Sequence, residues 1–262
     1  MIVRKSEREI DLIAAAGQVA AETIAHVGRH IEPGVTTEEL DRVAEEFIRS
    51  RGGIPTSKGY RGFPKAICIS PNDMIVHGIP GDYRVQDGDL LTIDVGVTLD
   101  GYVADTAYTF AVGDVSAEAE RLLEVAQAAL AAGIEQAQVE NRIGDVSAAI
   151  QRVVEEAGFA VVRALVGHGV GRAYHEDPQI PNYGTPGRGA RLSPGMTLAI
   201  EPMITAGGVD IVLDDDQWSV YTADGSLSAH FEHTVAVTEA GPRILTPVGA
   251  GSPRVPGAPL AS

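Results

Sequence analysis

Cysteine, tryptophan and positive charge are scarce in this chain of 262 residues. It has one cysteine and one tryptophan, aromatics make up 5%, and 20 Lys and Arg stand against 36 Asp and Glu, for a formal net charge of -16. The lone Cys68 has no partner for an internal disulfide, which fits a reducing compartment. The deficit of cations argues against DNA or RNA as the main partner, because that affinity comes largely from Lys and Arg meeting phosphates. Long apolar runs are missing as well. The stretch MIVRKSEREIDLIAAAGQ interrupts its apolar residues with charges and so lacks the core of a signal peptide. No window approaches the roughly 18 uncharged residues that a membrane span needs. The chain therefore reads as cytoplasmic, without a membrane partner. What is present is 44% hydrophobic residues, enough in a chain of this length to bury a substantial core.

The hydrophobic pattern reads as two similar halves. Ile10, Ile13, Ala20, Ile24 and Val27 recur at helical spacing, and Thr36 with Glu39 forms a capping-box pattern ahead of Leu40, Val43, Ala44, Phe47 and Ile48. Strands are expected over residues 66–70, 90–95 and 103–112, which are short, β-rich and bounded by Pro, Gly and Asp. The second half repeats the order: a helix from about Ser116, another from about Gly144 to a stop at Gly158, then strands near 161–166, 198–204, 210–213, 218–221 and 231–237. Local echoes accompany it: RVAEE and RVVEE, HGIP and HGVG, DGDLLTID and PGMTLAIE. The expectation is a pseudo-two-fold α+β domain, a curved antiparallel sheet covered by helices, over residues 1–248. The Gly-, Pro- and Ser-rich residues 249–262 are expected to form a flexible tail.

Two aspartates stand where a core should be. Asp94 in LLTIDVG and Asp105 in YVADTAYTF each lie in the middle of an apolar strand pattern, where a carboxylate must protonate, pair or bind a cation. The two strands are joined by Leu99-Asp100-Gly101-Tyr102, and Asp-Gly is a strong hairpin signal. That turn pairs Asp105 with Gly96 and leaves Asp94 as its diagonal neighbour on the same face, about 7–8 Å away. The second half supplies Glu201 in LAIEP and Glu232 in HFEHT. Four such carboxylates would repel one another unless a multivalent cation lay between them. His168, in GHGVGRAYHEDP, adds a nitrogen, so the set suits manganese, iron, cobalt or zinc better than magnesium or calcium. Five ligands exceed what one tetrahedral ion requires, which favours two ions sharing carboxylates, the arrangement of metal-assisted hydrolysis.

The segments NDMIVHGIP, TIDVG, DTAYTF, GHGVGRAYHEDP, AIEP and SLSAHFEHT, taken in order, resemble the type I methionine aminopeptidases. The resemblance runs from about residue 4 to about residue 246 and is highly specific. It implies the pita-bread fold, a dinuclear metal centre, and a metallo-exopeptidase that removes the initiator methionine when the second residue is small. Carried onto this chain, the ligands are Asp94, Asp105, His168, Glu201 and Glu232, with Asp105 and Glu232 bridging. A bridging hydroxide attacks the scissile carbonyl, and Glu201 passes its proton to the leaving amine. His175 matches the histidine that contacts the scissile peptide, and His77 one that meets the substrate backbone. Tyr60, Phe63, Cys68, Tyr174 and Trp218 match the lining of a methionine pocket. Asn72, Met74 and Ser228 match a site for sodium or potassium. Nascent polypeptide N-termini are the implied partners, with transient ribosome association, and the family default is a monomer.

Three positions depart from the pattern. Ser57 replaces a second pocket cysteine of some members, Arg61 stands where some relatives have histidine, and His230 where some have glutamine. No N-terminal zinc-finger or SH3-binding extension is expected, and the interval between His175 and Glu201 is too short for the helical insertion of type II enzymes. Three rivals share the fold. A prolidase or proline-specific aminopeptidase carries similar ligands but generally adds a large N-terminal domain. A creatinase-like enzyme lacks the ligand set, and a non-catalytic binding protein usually loses ligands or gains basic segments.

Overall fold

The computed structural model describes residues 1–248, so the expected tail at 249–262 lies outside the described residues. The first half runs α1 (Glu7–Gly28), α2 (Thr37–Ser50), β1 (Ile54–Pro55), β2 (Cys68–Pro71), β3 (Met74–Val76), β4 (Leu90–Leu99) and β5 (Tyr102–Ala111). The second opens with α3 (Ala117–Glu135), α4 (Ile143–Glu156), β6 (Ala160–Val161), β7 (Val166–Gly169) and β8 (Glu176–Pro181). It continues with β9 (Thr197–Ile200), β10 (Met203–Thr205), β11 (Ile211–Leu213), β12 (Val220–Thr222), β13 (Ser228–His230), β14 (His233–Thr238) and β15 (Gly241–Ile244).

Local chemistry sets the helix starts. Ser6 with Glu9, and Thr36 with Glu39, form reciprocal capping boxes, and the Ser116 side chain caps α3, so the first free N–H groups of each helix find acceptors. α1 is the one described helix long and apolar enough to cross a membrane by length and composition. Its apolar residues are instead occupied within the fold, since α1 packs on β4 and β5.

β4 and β5 form the predicted hairpin. Leu99 pairs with Tyr102, and Asp100 and Gly101 both take positive φ, 51° and 77°, as a two-residue turn of matching twist requires. Within β4, Leu91, Ile93, Val95 and Val97 face Ile24, Leu40 and Ile48 of α1 and α2. Alternation then turns Asp94 to the opposite face. In the second half Leu198 and Ile200 pack with Leu122, Leu123 and Ile150 of α3 and α4. One face of each half takes helices, and the other is left for polar groups.

The halves correspond strand by strand. β4 is flanked by β2 and β5, β9 by β7 and β14, and every pairing is antiparallel. They meet along a seam between β5 and the β13–β14 segment. There Glu232 N donates to Ala107 O, Thr106 Oγ1 to Glu232 O, and Thr234 Oγ1 to Asp105 O.

Two expected strands prove to be broken, residues 161–166 separating into β6 and β7 and 198–204 into β9 and β10, while 231–237 is found as the single strand β14, starting at His233. Pro202, without an N–H, interrupts the second of these, and Phe231–Glu232 leaves its ladder to bond across the seam. Among the described residues the strands form four hydrogen-bonded sheets joined at such breaks rather than one uninterrupted ladder. β1, β3, β8, β13 and β15 escape sequence reading because they are short or, β3 and β13 excepted, contain proline.

Candidate metal and peptide site

The hairpin register is the one expected: Gly96 pairs with Asp105, so Asp94 and Asp105 lie on one face. His168 belongs to β7, paired with Ala199 on one side and Gln179 on the other. Its flanking glycines are needed for this close approach. A Cβ on Gly167 would lie 2.4 Å from Ala199 O, and one on Gly169 2.2 Å from Asp177 O. Glu201 follows β9 and Glu232 precedes β14, both at breaks where the chain leaves its ladder. All five side chains line one cavity of about 180 Å³.

Within it, ligand atoms of Asp105, His168 and Glu232 come within 4.8 Å of one another. His168 Nε2 stands 3.7 Å from Asp105 Oδ2 and 3.5 Å from Glu201 Oε1. Its Nδ1 is 2.9 Å from Gly169 O, and since a carbonyl only accepts, Nδ1 carries the proton and Nε2 presents a lone pair to the carboxylates.

The electrostatics of the cluster are unfavourable for protein groups alone. Burial lifts Asp94 to about 7, against the pull of its hydrogen bond with Asp105. Burial, reinforced by the charge of the neighbouring carboxylates, pushes Asp105, Glu201 and Glu232 well above the usual carboxylate range. Asp94 Oδ1 and Glu232 Oε1 are buried without a hydrogen-bond partner. Orphaned carboxylate oxygens beside an imidazole lone pair are the donor set of a divalent cation, and the residues fit one.

The remaining wall is aromatic and apolar. Tyr60, Phe63, Cys68, His77, Tyr174, His175 and Trp218 all line the cavity. Phe63 and Trp218 meet edge to face at 5.1 Å, and His77 stands edge-on to Trp218 at 6.4 Å. His175 stacks on Tyr60 at 5.3 Å and tilts against His168 with centroids 4.0 Å apart. Burial first, then His168, His77 and Arg61, holds His175 down at about 3, so it is neutral at physiological pH. Burial pushes the Cys68 thiol up, which keeps it protonated.

The segment 171–176 that carries Tyr174 and His175 is anchored to the N-terminal residues. Lys5, its side chain 4% exposed, gives Nζ to Glu176 Oε2 at 2.6 Å. The other Glu176 oxygen accepts from the backbone N–H groups of Arg172 and Ala173.

Asn72, Met74 and Ser228 do not line the cavity. They are nonetheless together, with Ser228 Oγ donating to Asn72 O at 2.9 Å and to Met74 O at 3.2 Å. Sequence reading missed Val76, Leu165, Val166 and Met203 as lining residues, since an apolar residue of the wall looks like any core residue.

The order and geometry of these ligand-bearing strands recur in known proteins, and residues 11–239 match the model of metallopeptidase family M24. The chain belongs to the M24 metallopeptidases. Among M24 relatives, a methionine aminopeptidase of Clostridium perfringens is 52% identical over 246 residues, which is 94% of this chain and 99% of that protein. Methionine aminopeptidase 1 of Bacillus subtilis is 49% identical over 248 residues, 95% of this chain and 100% of its own. The crystal structure of methionine aminopeptidase from Rickettsia prowazekii superposes with a TM-score of 0.93 at 44% identity, covering 94% of this chain and 100% of that one. The M24 architecture here is accordingly the pita-bread fold, α+β with antiparallel strands.

Proposed function

We propose that this chain is a methionyl aminopeptidase, which hydrolyses the bond after the initiator methionine of nascent polypeptides and prefers a small second residue. The observation that carries the reading is one cavity of about 180 Å³ that joins a carboxylate and imidazole cluster to an aromatic wall. An unbranched thioether suits such a wall, through shape and sulfur–aromatic contact, and would bring its own peptide bond over the cluster. Relatives 52% and 49% identical over nearly the whole chain bear the same name. We take residues 1–248 as one catalytic domain that works in the cytoplasm as a monomer, with transient ribosome association.

Asp94, Asp105, His168, Glu201 and Glu232 would hold two divalent ions, of cobalt, manganese, iron or zinc, with Asp105 and Glu232 shared between them. Bound there, the ions supply the positive charge that polarises the scissile carbonyl and activates water. Glu201, its carboxyl raised by burial and by the neighbouring Asp105 and Asp94, carries a proton from the attacking water to the leaving amine. Neutral His175 donates a hydrogen bond to the scissile peptide, and the negative charge that develops there strengthens it. His77, edge-on to Trp218 in the same wall, meets the substrate backbone. Tyr60, Phe63, Cys68, Tyr174 and Trp218 enclose the methionine side chain. The oxygens of Asn72, Met74 and Ser228 would take a sodium or potassium ion.

The test is methionine release from Met-Ala-Ser by metal-free protein titrated separately with cobalt, manganese, iron and zinc. Faster cleavage of Xaa-Pro substrates would sink the reading. His168→Ala and Glu201→Ala are expected to abolish turnover, whereas His175→Ala keeps its metal and loses rate. Normal activity of reconstituted Glu201→Ala would refute the proton transfer assigned to it.

A further inference from the structure

His230 is the cavity histidine that the reaction leaves without work. Its backbone is fixed on both sides: it ends β13 opposite Met203, its N–H donates to Thr109 Oγ1 at 3.0 Å, and its carbonyl accepts from the same hydroxyl at 2.8 Å. The residue is 2% exposed, and neither ring nitrogen has a hydrogen-bond partner. Leaving an imidazole buried and unpartnered is costly, so its surroundings should contain what it is meant to meet. Nε2 lies 3.7 Å from Glu201 Oε2, and no other carboxylate of the described residues comes as close.

Glu201 thus sits between two imidazoles, with Oε1 facing His168 and Oε2 facing His230. The two rings are not equivalent. His168 spends its ring proton on Gly169 O, which leaves Nε2 as a lone pair. His230 has no acceptor at Nδ1, and the nearest carboxylate lies at Nε2. A neutral imidazole there does best with its proton on Nε2. We propose that His230 is a positioning residue, whose Nε2–H donates to Oε2 of Glu201 and fixes that carboxylate so that Oε1 faces His168 and the reacting centre.

The proposal rests on the role given to Glu201 above. The present separation is wider than a formed hydrogen bond, and a shift of under about 1 Å at the end of the Glu201 side chain closes it. Hydrogen bonds of this kind commonly tighten when a site is filled. A carboxylate held by a donor on one oxygen keeps one rotamer, so the other oxygen meets water and leaving group in the same place each turnover.

The direct test is nitrogen-15 NMR of the histidine rings in the full-length protein, metal-free and after zinc alone is added. The expected result is a His230 ring protonated at Nε2 in both samples. A proton on Nδ1, or an Nε2 that gives up its proton to bind zinc, overturns the proposal. No variant is needed for this measurement, so it stands however substitutions fold. In kinetics, His230→Leu should lose about ten- to a hundredfold in kcat with KM changed less than about twofold, and His230→Gln should recover most of it. Wild-type kcat in His230→Leu would also overturn the assignment. If no metal-loaded sample releases methionine, the proposed function fails by itself, and the ring tautomer still decides what His230 does.

Discussion

Gly96 faces Asp105 across the hairpin, and the space a side chain would occupy there belongs to Tyr174. A Cβ at Gly96 would stand 2.4 Å from Tyr174 Oη and 2.6 Å from Cζ. Tyr174 cannot yield easily. Its ring meets Tyr60 at 5.2 Å, its hydroxyl contacts Ser57 Oγ at 3.1 Å and Asp105 Oδ1 at 3.4 Å, and the residue is buried. Gly96→Ala is therefore expected to cost about 1–3 kcal/mol by overpacking. Because the displaced ring touches Asp105, turnover should fall by about ten- to a hundredfold as well. Thermal melts and methionine release on the same preparation check both, and an unchanged kcat would show that Tyr174 is free to move. At this scale the sequence was informative about charge and poor about space. An aspartate amid apolar residues announces itself, whereas nothing in TIDVG says that a tyrosine 78 positions later needs the room at its glycine.

At the scale of elements, the segment bearing Tyr174 and His175 is held by the N-terminal residues that lead into α1. Lys5 Nζ reaches Glu176, the residue after His175, while Lys5 N donates to Gly195 O at 2.6 Å. Glu176 is drawn both ways, since burial raises its carboxyl while the Lys5 hydrogen bond and the backbone N–H of Ala173 and Arg172 bring it below its usual value. Lys5→Met removes the cation of a mostly buried pair and leaves the Glu176 charge to the backbone N–H groups of Arg172 and Ala173 alone. The expected cost is about 3–5 kcal/mol, read as a lower urea midpoint, together with a fall in kcat from a loosened His175. Helices and the central hairpin were legible in the sequence because capping boxes, helical periodicity and an Asp-Gly turn are local signals. The Lys5–Glu176 link was not, since both residues read as ordinary solvated charges until the fold brings them together. β8 was likewise missed, because EDPQIP has neither alternation nor β-branched enrichment.

For the molecule as a whole, the seam between the halves concentrates negative charge that the rest of the fold does not neutralise. Asp105, Glu201 and Glu232 are raised well above the carboxylate range and Asp94 to about 7. A raised carboxylate keeps its proton longer folded than unfolded. Metal-free protein should therefore lose stability as pH climbs from the ordinary carboxylate range through about 7 for Asp94. Divalent cations bind the folded form and should offset this, by about 2.7 kcal/mol when free cation is a hundredfold above Kd. The rise in Tm should be larger at about pH 8 than at about pH 5, where protons compete for the same oxygens. Calorimetry with and without manganese checks it. Asp105→Asn should shrink the effect, and an equal rise in that variant would place the cation elsewhere.

The sequence by itself determined the helices, the hairpin register and the identity of the carboxylates and histidines that needed an explanation. These follow from period, turn chemistry and the cost of burying charge, all of which act over a few residues. Only the tertiary structure decided that Glu201 and Glu232 stand at breaks in their strands, that His168 lies in a strand, and that His230 faces Oε2 of Glu201. Those facts depend on strands far apart in sequence meeting at one seam, and on which atoms are left without partners when they do.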